Sequence, residues 1–342
     1  MEHIAIDLGG RESQICVRNA AGEIVEERRC PTAELAGYLA ARPKSRVVLE
    51  TCAEAFQVAD AAVAAGHEVR VVAATLVRSL GVGARGTKTD RRDARVLSEV
   101  STRIDLPSVH VPTALARERR TMCGMRETLV RARTQVANSV HGWLRTQGVR
   151  VPSGQVDSLA ARVRRHLPER PSYVERELEI LDELTARIRR AQAELRRLAR
   201  TDPLCRRLMT VPGVGPNTAV RFAAAVDQVK RFSDAHHVEA YVGLVPGERS
   251  SSEKKRRTGI TKAGSPALRH CLVQAAWAAK RTRPHDPLQL WARRVEKRRG
   301  KRVAAVAIAR KLAGLLYALS RDGTTYDASR AARLPMPSPP RP

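Results

Sequence analysis

The stretch His3-Ile4-Ala5-Ile6-Asp7-Leu8-Gly9-Gly10 opens on an apolar run, ends it in an acid and stops at paired glycines. A run of this length bounded by glycine reads as a strand. Residues 13–18 and 23–28 alternate apolar and polar side chains across the turn Asn19-Ala20-Ala21-Gly22, so the beginning of the chain predicts a β-meander. Beyond it the pattern predicts a helix over 32–41, a strand over 46–50, an Ala-rich helix over 54–65 and a strand over 67–73 after Gly66.

Three strands followed by alternating helix and strand predict an α/β domain, a mixed sheet with helices on its faces in the ribonuclease-H-like order. Residues 81–88 read as a Gly-rich basic loop, and Thr89 as the cap of a helix over 90–101. Pro107 and Pro112 punctuate a change of composition, which sets a first domain at 1–110. A basic helix over 115–144 and a second over 174–199 follow. The second carries a heptad-like seam, with Val174, Leu181, Ile188 and Leu195 in one register and Leu178, Thr185, Gln192 and Ala199 in the other. The seam fits either an antiparallel helical hairpin or a coiled-coil dimerisation arm. This gives a helical, coiled-coil region at 111–202, a helical C-terminal domain at 203–322 and a Pro-rich, disordered tail at 323–342.

Charge divides the chain in the same places. The 62 Lys and Arg against 35 Asp and Glu leave a net +27, which calls for a polyanionic partner, nucleic acid or an anionic membrane surface. Residues 1–110 are net neutral, 111–200 carry +9 and 201–342 carry +18. No run approaches the roughly 18 consecutive apolar residues of a membrane span. Residues 1–10 contain Glu2 and Asp7 and do not resemble a signal peptide, so a cytoplasmic, nucleoid-associated protein is expected. The six cysteines form no C-x-x-C pair and read as buried thiols rather than a zinc site.

Within the neutral segment, Asp7 and Glu50 each end an apolar strand, and Asp90 and Asp93 lie three apart on a predicted helix. Oxygen ligands converging on one sheet edge suit Mg²⁺, or Mn²⁺, and two such ions can serve phosphodiester cleavage. Taken singly, each acid also reads as a helix-terminus acid, a salt-bridge partner or an edge-strand solubiliser. Ile6-Asp7-Leu8-Gly9-Gly10 also resembles the first phosphate loop of actin-like ATPases, but no second Asp-x-Gly loop follows.

The basic segments carry the remaining candidates. Pro212-Gly213-Val214-Gly215 between two predicted helices resembles a helix-hairpin-helix, in which Gly213 and Gly215 let backbone N–H groups approach a phosphate, although an ordinary tight turn reads equally. Ser250, Ser251 and Ser252 precede Lys254, Lys255, Arg256 and Arg257, with Lys262 close behind. A serine among cations can attack a phosphodiester, or simply sit in a phosphate-contacting loop. Arg298, Arg299, Lys301 and Arg302 form a last cluster, and with aromatics at 3 % phosphate contacts should dominate affinity.

The ordered set Ile6-Asp7-Leu8-Gly9, Leu49-Glu50-Thr51, Thr87-Lys88-Thr89-Asp90-Arg91-Arg92-Asp93-Ala94, Val211-Pro212-Gly213-Val214-Gly215, Gly243-Leu244-Val245-Pro246 and Ile260-Thr261-Lys262-Ala263-Gly264 resembles the DEDD transposases of the insertion-sequence-110 family over about residues 3–320. The resemblance implies a RuvC-like N-terminal domain, a coiled-coil middle and a C-terminal transposase domain. It carries Asp7, Glu50, Asp90 and Asp93 over as Mg²⁺ ligands. It makes Ser251 the nucleophile, with Ser250 the nearest alternative, acting beside the acidic site of a partner subunit. Ser252 stands where the family usually has glycine. Dimers, tetramers on DNA and, in some members, a structured noncoding guide RNA are further implications. The rival readings are a junction resolvase using water in place of serine, and a non-catalytic nucleic-acid-binding protein.

Overall fold

The computed structural model describes residues 1–79, 90–251 and 254–329, as backbone alone at 78–79, 249–251 and 254–257. The loop expected at 81–88, the cap at Thr89, Ser252 and residues 330–342 of the tail expected at 323–342 lie outside the described residues, as do the side chains of Ser250, Ser251, Lys254, Lys255, Arg256 and Arg257. Residues 323–329 of that tail are described, with Tyr326 packed on the helical core and its hydroxyl donating to Asp286 Oδ1 (2.8 Å). The chain divides into two compact units, Met1–Pro112 and Thr113–Pro342.

In the first unit β1 (His3–Asp7), β2 (Glu12–Arg18) and β3 (Ile24–Pro31) form the antiparallel meander, and β4 (Arg46–Glu50) and β5 (Glu68–Val72) extend it in parallel on the other side of β1. The order is β3-β2-β1-β4-β5, with β1 central. Strand alternation separates two faces. Ile4, Ile6, Ile15, Val17, Val47 and Leu49 pack under α1 (Leu35–Ala40) and α2 (Ala55–Ala64) through Leu35, Leu39 and Val58. Ala5, Val48 and Val72 face Val77 of α3 (Ala74–Ser79) and Leu97 of α4 (Asp90–Arg103). The smaller residues on this second face let α4 sit close to the sheet.

The second unit begins with α5 (Ala114–Thr146), which returns through α6 (Leu159–His166) into α7 (Ser172–Thr201). Arg119 pairs with Asp202 at one end, Arg126 Nε donates to Gln192 Oε1 (2.8 Å) midway, and Ala137, Val140 and Leu144 meet Val174, Leu178 and Leu181 at the other. The two helices are therefore antiparallel, α5 packs along α7, and Thr185, Ile188, Leu195 and Ala199 of the α7 seam are buried within the chain, Leu195 and Ala199 in a core shared with α8 and α9.

The remainder is a helical core: α8 (Pro203–Leu208), α9 (Pro216–Val226), α10 (Ala235–Val242), α11 (Pro266–Thr282), α12 (Pro287–Arg299) and α13 (Lys301–Asp322), packed around Phe222, Leu272, Leu312 and Tyr317. The region expected to be wholly helical contains a hairpin, β6 (Pro246–Ser251) and β7 (Lys254–Ile260), so the Ser-rich basic stretch is strand rather than loop. The 22-residue α13 is long and apolar enough to cross a bilayer, although no such stretch was expected. Ile308, Leu312 and Leu316 bury it in the core of its unit, which accounts for its apolar character. Five cysteines are buried as expected, whereas Cys52 is exposed.

Candidate active site and nucleic-acid surface

One contact sets the phase of α4 on the sheet. His3 Nδ1 lies 2.8 Å from Ser101 Oγ, and Leu97 packs with Ala5. Ser101, Leu97 and Asp93 follow one helix face at successive fourth residues, while His3, Ala5 and Asp7 share one strand face. Eight residues of helix span about 12 Å and four of extended strand about 13 Å, so Asp93 comes alongside the end of β1 at Asp7. On the neighbouring strand, Leu49 pairs in register with Ile6, which sets Glu50 beside Asp7; Glu50 shares the face of Val48.

Asp93 is 5 % exposed, and its Oδ1 has no hydrogen-bond partner among the described residues. A buried carboxylate oxygen in that condition is costly. A hard cation would satisfy it, and the all-oxygen donor set suits Mg²⁺ or Mn²⁺. Asp90, one turn earlier, is exposed, and among the described residues no three His, Cys, Asp or Glu side chains form a group able to hold a metal ion. Mg²⁺ needs no protein cage, since it is usually held by one or two carboxylates with water and substrate phosphate.

The sequence alone gave no hint of the clamp on this helix. Glu27 of β3 accepts from Arg95 Nε, from Arg95 Nη2 (2.6 Å) and from Arg91 Nη2 (2.7 Å). Hydrogen bonds from Arg95, then Arg91, hold its carboxyl at about 2, below the usual 4.5. A depressed pKa stabilises the fold above the unfolded value, and that contribution is lost as pH falls through the folded one. Protection factors for amide exchange over residues 90–97, taken relative to the intrinsic rate at each pH, should therefore fall between pH about 4.5 and about 2. Glu27→Gln should show the low protection already at neutral pH; unchanged protection factors in this variant would remove the clamp.

In the second unit the hairpin sets Ser250 opposite Lys255 and Ser251 opposite Lys254 in register. Its base is an interlock of backbone. Gly264 has φ +68°, and a Cβ there would stand 2.0 Å from the carbonyl oxygen of Tyr241. Lys262, the residue after Thr261, also has positive φ (58°), and its N–H donates to Gly243 O (3.1 Å). Gly213 turns inward, where a Cβ would lie 2.1 Å from Ala275 O of α11, whereas the same test at Gly215, the N-cap of α9, meets open space. Arg298, Arg299, Lys301 and Arg302 are all exposed around the junction of α12 and α13.

Comparison with known proteins converges on one family. Residues 205–289 match the model described as transposase IS116/IS110/IS902 family, and residues 4–147 match a DEDD transposase model of the IS110 type. The transposase of insertion sequence IS1328 from Yersinia enterocolitica is 29 % identical, covering 94 % of this chain and 98 % of its own. That of IS1111A from Coxiella burnetii is 28 % identical, covering 94 % and 90 %. The y4qE protein of Sinorhizobium fredii is 31 % identical, covering 75 % and 70 %. The chain belongs to the IS110 family of transposases.

It is therefore an enzyme that acts on DNA, and the geometry of the transposase can be read in that light. Strand register and alternation set Asp7 and Glu50 on one end and one face of the sheet, Asp93 is buried on α4, which packs against β1, and Asp90 is exposed. The serines belong to the other unit, on a hairpin held by Gly264. In the transposase Gly264→Ala forces a left-handed alanine against a carbonyl, and should cost about 3 kcal/mol. Urea unfolding would measure it; a loss below about 1 kcal/mol would contradict the interlock.

Proposed function

We propose that this transposase exchanges DNA strands through a phosphoseryl link, with Asp7, Glu50, Asp90 and Asp93 as holders of divalent cations and Ser251 as nucleophile, Ser250 being its alternative. The observation carrying the reading is the buried Asp93 carboxylate, one oxygen of which has no partner among the described residues, on a helix packed against β1, while β1 and β4 set Asp7 beside Glu50. The strand order β3-β2-β1-β4-β5 supports a RuvC-like domain. Mg²⁺ or Mn²⁺, when bound, would supply Lewis-acid stabilisation of charge on the scissile phosphate.

Ser251 Oγ forms a bond to phosphorus as the bond to one DNA oxygen breaks, and that oxygen leaves as a hydroxyl. The hydroxyl of another strand then attacks the phosphoseryl group and frees the serine. Each step conserves one phosphodiester, so exchange needs no external energy source. Following the family resemblance, we assign the serine of one copy to the acidic site of another, within a dimer or a tetramer on DNA.

Residues 111–342 hold the whole charge excess and would grip phosphates through Gly215, Lys254, Lys255, Arg256, Arg257, Lys262, Arg298, Arg299, Lys301 and Arg302. That surface has charge enough for a structured guide RNA beside DNA. The expected compartment is the cytoplasm, on the nucleoid. A donor plasmid with element ends, a target plasmid, the element's noncoding RNA and Mg²⁺ test the reading together. Recombinant junctions that vanish with EDTA support it; nicked DNA without joined products would point to a metal-dependent hydrolase instead.

A further inference from the structure

Between α11, α12 and the start of α13 lies a cavity of about 90 Å³, lined by Trp277, Lys280, Gln289, Arg293, Glu296 and Lys301 among others. Gln289 is 3 % exposed, and its Nε2 has no hydrogen-bond partner among the described residues. A buried amide left unbonded is costly, so an acceptor entering the cavity gains a bond that the protein itself does not make. Lys280 Nζ pairs with Glu296 Oε2 (2.6 Å) and stands 5.7 Å from the centre of the Trp277 ring. Arg293 and Lys301 are exposed, and Lys301 adjoins the cations Arg298, Arg299 and Arg302.

We infer that this cavity receives an unpaired nucleobase of the nucleic acid, with its ring against Trp277, its edge on Gln289 and Glu296, and its flanking phosphates on Arg293 and Lys301. The inference rests on the reading of residues 113–342 as the unit that grips nucleic acid. The cavity offers a hydrogen-bond donor, a carboxylate acceptor, an aromatic face and cations, and a nucleotide uses all four. A free phosphate would use the cations, leave Trp277 idle and meet repulsion from Glu296. An apolar ligand would leave Gln289 unbonded. A base inside a duplex is stacked on both faces and cannot enter, so the occupant comes from a single strand, a bulge or an extruded position. Size agrees: a closed cavity of about 150 Å³ takes a benzene ring, so this smaller, open one takes a base edge with the rest of the ring in its mouth. With only three Trp in the chain, Trp277 is a scarce stacking surface.

The test uses the full-length protein and three fluorescent probes at one salt concentration: a paired DNA duplex, the same duplex with a single bulged 2-aminopurine, and the bulged RNA counterpart. Trp277→Leu should weaken binding of a bulged probe about tenfold, Gln289→Leu should weaken it several-fold, and Trp277→Phe should keep it, while the paired duplex binds all variants alike. The 2-aminopurine should be quenched on binding to the unaltered protein and not on binding to Trp277→Leu. Whichever bulged probe suffers the loss, DNA or RNA, identifies the strand that supplies the base.

Absence of quenching in the unaltered protein, or variants without effect on either bulge, overturns the inference and leaves Gln289 to water. An equal loss on the paired duplex overturns it too, because the variants then act through the fold. If the unaltered protein binds none of the probes, the reading of the unit fails along with it; paired binding without the bulge effects fails the cavity alone.

Discussion

Ser251→Ala is expected to reduce recombinant junctions about 10⁴-fold or more, because removing a nucleophile removes the covalent route rather than weakening it. DNA affinity should stay within about twofold, since one hydroxyl is lost from a surface whose grip is set by many phosphate contacts. The combination matters more than either result alone. A hydrolase using water would retain nicking in this variant, and a non-catalytic binder would have no activity to lose. Ser250→Ala serves as the control, because its Cα pairs with Lys255 while that of Ser251 pairs with Lys254. If Ser250→Ala abolished exchange and Ser251→Ala preserved it, the roles would be reversed and the phosphoseryl route would stand.

Asp93→Asn is the second large effect. The substitution keeps size and removes charge from a side chain that is 5 % exposed with an oxygen lacking a partner among the described residues. Stability should be unchanged or raised, since an uncompensated buried charge disfavours folding. Recombination should nevertheless fall about 10²- to 10³-fold, the size of loss that follows removal of an electrostatic group at a reacting centre. A structural role would produce the opposite pattern, with stability and activity falling together. Recombination assays and urea unfolding on the same preparation separate the two. Asp90→Asn, at an exposed position outside the shared face, should cost less than Asp93→Asn.

The first unit was legible from the sequence because β1, β2 and β4 are short with apolar centres, glycines mark the turns after β1, before β3 and before β5, and period-two alternation dictates which face each residue takes. That same alternation sets Asp7 with Ala5 and Glu50 with Val48. The phase of α4 was not legible. Asp90 and Asp93 look equivalent three residues apart, and only the packing of Leu97 and the contact of Ser101 with His3 turn one inward and leave the other in solvent. The Glu27 clamp joins residues more than sixty positions apart, beyond any local pattern.

In the second unit, the α7 seam could be read but its partner could not, because a heptad period names a face and not the helix that covers it. The hairpin carries no such signal for a different reason. Pro-Gly-Glu-Arg-Ser-Ser and Lys-Lys-Arg-Arg-Thr-Gly-Ile have no apolar alternation and weak strand propensity. They pair because the backbone interlock at Gly264 and the hydrogen bond from Lys262 to Gly243 bring their ends together. The spacing around Gly213 fits a phosphate loop or an ordinary tight turn, and its inward side faces the α11 backbone, a contact no spacing could reveal.

The measurement that bears most directly on the central claim is recovery of the covalent intermediate. The transposase would be mixed with a suicide DNA substrate, nicked beside the cleavage position so that rejoining is blocked, then denatured, digested and mapped by mass spectrometry. A DNA-linked peptide carrying the phosphodiester on Ser251, formed about 10²- to 10³-fold more slowly with Asp93→Asn and absent with EDTA, is the predicted result. Cleaved DNA free of any protein adduct would contradict it.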